Sequence, residues 1–125
     1  MRLLLDTNIL IWWLQDDPKL SKLARSRIVA ASEVFVSSAS IWEAAIKANL
    51  GKLDVDVAVL ISQLSRNRFS ELAISHRHAA MVAQLPDIHR DPFDRMLVVQ
   101  AICEPLRLLT SDRTLASYSD LVEVV

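Results

Sequence analysis

The 125-residue chain has few of the residues that mark several protein classes. One glycine and four prolines exclude a collagen-like protein and a chain dominated by flexible linkers. The single cysteine, Cys103, excludes an intramolecular disulfide framework and is typical of a reducing compartment. No stretch reaches the roughly 18 apolar residues that a membrane-spanning helix needs. The sequence therefore predicts a cytoplasmic protein without a membrane segment.

The chain also lacks a charge excess of either sign. It has 14 Lys and Arg residues against 15 Asp and Glu, a net charge of −1. No overall basic field would attract nucleic acid, so any such contact has to be local. By contrast, 52% of the residues are hydrophobic, enough for the core of one globular domain. Because no repeat or linker divides the sequence, residues 1–125 are predicted to form a single domain.

Short apolar runs alternate with longer helical stretches along the chain. The pattern predicts strands at 2–5, 33–37, 71–74, 107–109 and 121–125, and helices at 7–15, 19–31, 40–50, 56–67, 75–84 and 91–104. The predicted strands show no polar alternation, so both faces of the sheet should be covered. This alternation predicts an α/β fold with a parallel sheet.

Four acidic residues are placed where ligand sites of such folds lie. Asp6 and Asp112 follow the first strand and the 107–109 strand, whereas Glu43 and Asp94 fall in the first turns of two helices. Parallel strands end at one edge of the sheet, where open α/β folds bind ligands. Carboxylates gathered there would repel one another, and a hard divalent cation is the usual remedy. Oxygen ligands favour Mg²⁺, with Mn²⁺ as a substitute.

Three of these carboxylates have structural explanations as well. Residues 40–43 match a capping box, and Glu43 could instead pair with Lys47 one turn later. Asp6 and Asp112 could each cap the helix that follows. Lys47 itself could receive a phosphate or only neutralise the acidic cluster. The spacing alone leaves these alternatives open.

The two aspartates that precede the apolar 91–104 helix differ in their expected roles. Asp91 comes directly before a proline at the first helical position, which is the place of an N-cap. Asp94 lies one turn in, and positions 97, 98 and 101 on its face are apolar. A charge there is costly without a partner, so Asp94 is expected to bind a metal.

The histidines give weaker signals. His76 and His78 do not share a helical face and have no zinc-type spacing, so they are predicted to be surface residues. His89 lies before Asp91 and could hydrogen-bond it in a supporting role.

Tryptophans give the clearest signal of a protein contact. Trp12, Trp13 and Trp42 are most simply core residues. Adjacent Trp12 and Trp13 cannot both face inward on one helix, so one of them indicates a contact with another chain. A small chain with such an apolar patch is expected to form a homodimer.

Four segments together carry a resemblance to a known family. They are Leu5-Asp6-Thr7-Asn8, Ser40-Ile41-Trp42-Glu43, Asp91-Pro92-Phe93-Asp94-Arg95-Met96-Leu97 and Leu109-Thr110-Ser111-Asp112. In this order they resemble the PIN-domain family, and within it the VapC-type toxins of toxin–antitoxin pairs. The resemblance spans nearly the whole chain.

The resemblance implies a three-layer sandwich in which helices flank a central, mainly parallel sheet of four to five strands. It implies a Mg²⁺-dependent endoribonuclease that forms a homodimer and is blocked by a cognate antitoxin. The family's acidic residues correspond here to Asp6, Glu43, Asp94 and Asp112. The supporting or RNA-contacting residues are expected to be Asn8, Lys47, Asp91 and Arg95.

Two other function classes compete with this interpretation. A phosphoryl-transfer domain of receiver or haloacid-dehalogenase type also places an Asp after its first strand. The dehalogenase pattern needs a second Asp two residues later, where this chain has Asn8. The other class is a non-catalytic interaction module of the same fold, which only an activity measurement separates from an enzyme.

Overall fold

A single parallel sheet forms the centre of the molecule, and the computed structural model describes residues 1–125. Its strands are β1 (Arg2–Leu5), β2 (Glu33–Ser37), β3 (Phe69–Leu72), β4 (Arg107–Thr110) and β5 (Val122–Val124). They lie in the order β3-β2-β1-β4-β5, and every neighbouring pair is parallel. All five carboxyl ends therefore meet at one edge of the sheet.

Six α-helices connect and cover these strands. They are α1 (Thr7–Leu14), α2 (Lys22–Ala30), α3 (Ser38–Asn49), α4 (Val57–Arg66), α5 (His76–Val82) and α6 (Pro92–Cys103), and a 3₁₀ helix spans Arg113–Ser117. The predicted α/β fold with a parallel sheet is thus confirmed. No helix combines the length and the apolar character that crossing a membrane requires.

Two of the boundaries that differ from the predicted ones have a clear local cause. Helix α2 begins at Lys22 because the hydroxyl of Ser21 caps it by accepting the Ala24 N–H at 3.0 Å. Strand β3 begins two residues earlier than predicted, at Phe69. A positive φ of 59° at Arg68 turns the chain directly from the end of α4 into this strand.

The central strand β1 is buried on both faces, which explains its unbroken apolar sequence. Leu3 and Leu5 pack into a core with residues of α1 and α2, whereas Leu4 packs into a second core with residues of α6 and β4. All three leucines have no exposed surface. Burying such side chains contributes roughly 1.5–3 kcal/mol each, so β1 holds the two helical layers to the sheet.

The prediction that Trp42 is a core residue was wrong, whereas Trp12 and Trp13 do pack against the core. Trp42 is 60% exposed on α3, since it lies on the face of that helix that is turned away from the sheet. Trp12 and Trp13 are partly buried and pack against the core below α1. The Trp13 indole N–H donates to Asn67 Oδ1 at 3.0 Å, so this tryptophan has a partner within the molecule.

The prediction that His78 is a surface residue was also wrong. His78 is 3% exposed and lies in the first turn of α5, where it forms a capping box with Ser75. Its Nδ1 accepts the Ser75 N–H at 3.1 Å, and its Nε2 lies 2.6 Å from Glu104 Oε2. An imidazole thus takes the place that Glu or Gln usually has in this motif. His76 is exposed, as predicted.

Replacing His78 tests this link between α5 and the end of α6. His78→Ala removes a helix cap and a buried hydrogen bond to a carboxylate, which should cost about 2 kcal/mol of unfolding free energy. The melting temperature should fall by roughly 6–10 °C for a chain of this size. The exposed His76→Ala variant is the control and should melt like the wild type. Equal melting temperatures for the two variants would contradict the link.

Candidate metal centre

The carboxyl edge of the sheet gathers the predicted acidic residues. Asp6 follows β1 directly, and Asp112 follows β4 after one intervening residue. Asp94 lies in the first turn of α6, as predicted. Glu43 lies in the second turn of α3, because that helix begins at Ser38 with Ser37 as its N-cap. The predicted first-turn position of Glu43 and its capping box were therefore wrong.

A small polar cavity opens at this edge. Its volume is about 130 Å³, and no hydrophobic residue lines it. The lining residues are Asp6, Thr7, Asn8, Glu43, Lys47, Asp91 and Asp94. Four carboxylates and one lysine leave this cavity with an excess of negative charge.

Asp6 forms the buried wall of the cavity and is 6% exposed. Its Oδ1 accepts the Ile9 N–H at 2.8 Å as the N-cap of α1, and its Oδ2 accepts the Thr110 hydroxyl at 2.5 Å. Burial, together with the charges of Glu43 and Asp112, raises the pKa of Asp6 to about 6 despite these hydrogen bonds. Asp6 therefore does cap α1, but this cap does not neutralise the charge of its carboxylate.

Glu43 is held on both of its oxygens. Thr7 Oγ1 donates to Oε1 at 2.7 Å, and Lys47 Nζ donates to Oε2 at 2.8 Å. The hydrogen bond to Glu43 raises the pKa of Lys47, which keeps this ammonium charged. Lys47 thus neutralises Glu43, one of its two predicted roles, while its side chain stays 44% exposed at the rim.

Asp91 caps α6, as the sequence predicts, and Asp94 makes no such contact. Asp91 Oδ1 caps α6 by accepting the Phe93 N–H at 2.8 Å and the Asp94 N–H at 3.1 Å. Asp94 has no such backbone partner. Burial, followed by the charges of Asp91, Asp6 and Glu43, raises the pKa of Asp94 to about 7. A side chain with this much uncompensated repulsion fits a cation ligand.

Asp112 lies beside His89, for which the sequence predicted a contact with Asp91. Asp112 Oδ1 caps the 3₁₀ helix and accepts the Thr114 hydroxyl at 2.7 Å, which lowers the pKa of Asp112. Asp112 Oδ2 lies 3.0 Å from His89 Nε2, and that nitrogen lies 3.3 Å from Asp94 Oδ2. His89, Asp94 and Asp112 offer ligand atoms within 4.8 Å of one another.

Little in the sequence predicted the position of His89 in this site. Its nearness to Asp91 was the one available signal, and the contact proves to be between the Asp91 N–H and His89 Nδ1, at 3.3 Å. The imidazole reaches Asp112 across the edge of the sheet, a contact that only the folded chain creates.

Asn8 and Arg95 lie differently from their expected roles. Asn8 lines the cavity, but its side chain is exposed and makes no hydrogen bond within the protein. The Arg95 guanidinium donates to the carbonyl oxygens of Val82, Pro86 and His89 and to the Tyr118 hydroxyl. Arg95 therefore holds the loop before α6 and does not line the cavity, so its expected contact with RNA does not fit this position.

The donor set at this edge fits a hard divalent cation. Carboxylate oxygens dominate it, and the pKa of Asp94 is raised although the charge of His89 acts in the opposite direction. Hard oxygen donors of this kind suit Mg²⁺ or Mn²⁺. The ligand atoms close enough to share one ion belong to His89, Asp94 and Asp112, whereas Asp6 and Glu43 line the adjoining cavity together with Asp94.

This combination of a parallel sheet and an acidic carboxyl edge is found in a known class of domains. The PIN domain family model matches residues 3–121, and the chain belongs to this family. The assignment excludes the receiver and haloacid-dehalogenase alternatives, which are different folds.

Particular relatives are found by sequence and by structure. The chain is 32% identical over 118 residues to Ribonuclease VapC22 of Mycobacterium tuberculosis, an alignment that covers 92% of this chain and 90% of the relative. Its fold is similar to VapBC2 from Rickettsia felis, solved bound to a promoter DNA fragment, with a TM-score of 0.71, 17% identity and coverage of 99% and 98%. A toxin–antitoxin complex from Klebsiella pneumoniae gives a TM-score of 0.69 at 18% identity, covering 98% and 96%.

The raised pKa of Asp94 predicts how the metal-free protein responds to pH. Between about pH 4 and 7 the folded state retains a proton that the unfolded state has lost, so stability falls as the pH rises. Asp6 acts in the same direction, and Asp112, with its lowered pKa, acts below this window. In EDTA, Asp94→Asn should therefore melt above the wild type by a margin that grows by roughly 3–8 °C from about pH 5 to pH 7.5.

The exposed Asp54→Asn variant is the control for this measurement, and its margin over the wild type should not change with pH. A margin for Asp94→Asn that stays constant or shrinks as the pH rises would contradict the electrostatic account of the cavity.

Proposed function

We propose that this chain is a Mg²⁺-dependent endoribonuclease and the toxin component of a toxin–antitoxin pair. The observation that carries the proposal is the all-polar cavity in which Asp6, Glu43 and Asp94 converge. The membership of the chain in the PIN domain family supports a nuclease, and the name of the VapC22 relative supports RNA as the substrate.

In this proposal Asp6, Asp94 and Asp112 hold the cation, and Glu43 completes the site. Mg²⁺, when bound, supplies Lewis-acid activation of a water and neutralises charge on the scissile phosphate. Water attacks phosphorus in line, the bond from phosphorus to the 3′ oxygen breaks, and that oxygen takes up a proton. The products are a 5′-phosphate and a 3′-hydroxyl, and the ribose 2′-hydroxyl is not consumed.

The protein's own contribution is to orient these groups before substrate arrives. The Ile9 amide and the Thr110 hydroxyl fix both oxygens of Asp6, and Thr7 with Lys47 fixes both oxygens of Glu43. Such preorganisation removes the cost of arranging charges during the reaction. The exposed Lys47 at the rim is placed to contact an RNA phosphate while it remains paired with Glu43.

Single-stranded or looped RNA is the proposed substrate class. A cavity of about 130 Å³ admits one phosphate group and its surroundings, but it does not accommodate the width of a duplex. RNA that is not paired can bend its backbone into such a site. The net charge of −1 leaves binding to depend on local contacts such as Lys47.

RNA cleavage tests the proposal and separates the two aspartates at the start of α6. The wild type should cut mixed RNA with Mg²⁺ or Mn²⁺ and stop in EDTA, leaving 5′-phosphate ends on sequencing. Asp94→Asn should lose a ligand and cleave about 100-fold or more slowly. Asp91→Asn should retain most activity, because Asn caps a helix nearly as well as Asp.

Three outcomes would contradict this assignment. Cleavage that continues in EDTA would exclude the metal mechanism. An inactive Asp91→Asn with an active Asp94→Asn would show that the third carboxylate is Asp91. Absence of cleavage by the folded wild type on any RNA would favour a non-catalytic interaction module.

A homodimer is proposed from an apolar cavity on the other side of α3. This cavity of about 240 Å³ lies between α3, α5 and α6 and is lined by Ala39, Trp42, Ile74, Ala79, Val82, Pro92, Phe93 and Met96. Trp42 lies exposed at its edge and contacts Phe93 edge-on at 5.1 Å between ring centroids. A second copy of the chain that covers this face would bury the tryptophan and bring the two acidic edges close together.

Light scattering tests the homodimer at micromolar concentration. The wild type should have the mass of two chains, and Trp42→Glu should have the mass of one, because a charge on a buried apolar face is costly. Leu50→Glu introduces the same charge on an exposed apolar residue of the same helix region, outside the cavity, and should stay dimeric. A monomeric wild type would contradict the proposal.

The remaining proposed partner is a cognate antitoxin that covers the acidic edge. The Klebsiella pneumoniae neighbour is itself a toxin–antitoxin complex, which supports such a partner for this fold. The excess of carboxylates in the cavity would attract a basic segment. We place the protein in the cytoplasm, where its RNA substrate and antitoxin would both occur.

A further inference from the structure

We propose that His89 is a positioning residue for the cation site, whose Nε2–H donates to Asp112 and keeps that carboxylate beside Asp94. This inference rests on the proposed function, since it concerns the ion that the proposed reaction requires. It adds a neutral residue to a site otherwise described by its acidic groups.

The hydrogen-bond geometry defines the state of the imidazole. Nδ1 faces the Asp91 N–H at 3.3 Å and therefore acts as an acceptor. In the neutral ring the hydrogen is then on Nε2, which lies 3.0 Å from Asp112 Oδ2 and 3.3 Å from Asp94 Oδ2. This N–H donates to Asp112, and Asp94, which comes from a different element of the fold, lies close to the same nitrogen without a hydrogen bond to it.

The position of His89 is fixed from its backbone as well as from its ring. Its N–H donates to the Tyr118 hydroxyl at 2.7 Å, and its carbonyl oxygen accepts from Arg95 Nη1 at 3.3 Å. Arg95 binds two further carbonyl oxygens of the same loop, those of Val82 and Pro86. These contacts hold the imidazole at the acidic edge and give Arg95 a role that the sequence did not reveal.

The Nε2–H of His89 matters because the Asp94 and Asp112 carboxylates would otherwise separate. Asp112 follows β4 and is partly exposed, whereas Asp94 is carried by α6, so neither main chain forces the two side chains together. Without Nε2–H, repulsion would turn the Asp112 side chain toward solvent. Binding a cation would then require that the ligands be brought together again, which lowers the affinity for the ion. Groups that orient ligands in this way change metal affinity by about 10–100-fold.

Two other roles for His89 make different predictions. As a direct ligand it would bind the ion through Nε2, but the Nδ1 of a ligating histidine normally donates a hydrogen bond, whereas here it faces the donor Asp91 N–H. As a plug it would compete with the ion for both carboxylates, and its removal would tighten binding. The positioning role predicts weaker binding without a nitrogen ligand.

Two substitutions of His89 by amide side chains distinguish the effect of side-chain length from the effect of the N–H donor. Gln places its side-chain N–H₂ close to the position of Nε2, whereas Asn has the same amide group and is one methylene too short. Mn²⁺ and Mg²⁺ are titrated into the metal-free full-length protein by calorimetry, without RNA. His89→Asn should weaken binding of both ions by about 10–100-fold, and His89→Gln should stay within about threefold of the wild type. The exposed His76→Gln is the matched control and should bind like the wild type.

Pulsed electron paramagnetic resonance of the Mn²⁺-loaded wild type provides a second readout, independent of affinity. The positioning role predicts no coupling from a directly coordinated nitrogen. A strong nitrogen coupling that disappears in His89→Gln would show a ligand and overturn the proposal, and tighter binding by His89→Asn would show a plug. Unchanged affinity in His89→Asn would also overturn it.

The outcome for His89 is separable from the outcome for the proposed function. Metal-dependent RNA cleavage by the wild type with unchanged metal affinity in His89→Asn refutes the inference alone. Loss of affinity in His89→Asn, in a wild type that binds Mn²⁺ but cleaves no RNA, supports the inference and refutes the nuclease. Circular dichroism in EDTA checks that each variant is folded before the titrations.

Discussion

The parallel pairing of β1 with both β2 and β4 is the constraint on which the acidic edge depends. Leu5 is in register with Leu109, and the ladder continues one step further through the hydrogen bond from the Asp6 N–H to the Leu109 carbonyl oxygen at 3.0 Å. This register brings Asp6 beside Thr110, whose hydroxyl then binds the Asp6 carboxylate. Because a slip of one residue would exchange the leucines of β1 between the two cores, the packing on both faces protects the geometry of the site.

Residues at the edge combine structural and functional positions. Asp6, Asp91 and Asp112 each cap a helix with one oxygen and direct the other oxygen toward the site or toward a partner beside it. Amide N–H groups at helix starts stabilise negative charge, which partly offsets the cost of gathering carboxylates. Asp94 is the exception, since no backbone N–H compensates its charge, and its pKa is raised to about 7. The cap and the ligand explanations are therefore compatible for Asp6 and Asp112, two of the three residues that the sequence left ambiguous.

The loop between α5 and α6 links the core to the site. Arg95 reaches back from α6 to bind its carbonyl oxygens, and Tyr118 binds the backbone of His89 from beyond the 3₁₀ helix. A partly buried arginine with several carbonyl partners keeps its charge without a carboxylate and rigidifies the segment. The apolar face around Trp42 adjoins the start of α6, because Trp42 contacts Phe93 in the first turn of that helix. The acidic cavity and the exposed Trp42 thus both lie beside the first turn of α6.

The sequence by itself determined the class of fold, the placement of Asp6 and Asp112 at one edge, and the cap at Asp91. Each of these follows from local patterns, namely apolar runs, strand ends and the Asp-Pro helix start, which need no knowledge of distant contacts. Only the tertiary structure decided the partners of His89, His78 and Arg95. His89 meets Asp112 across 23 residues and His78 meets Glu104 across 26. No periodicity encodes such pairs, because the packing of α5 and α6 against the sheet brings their side chains together.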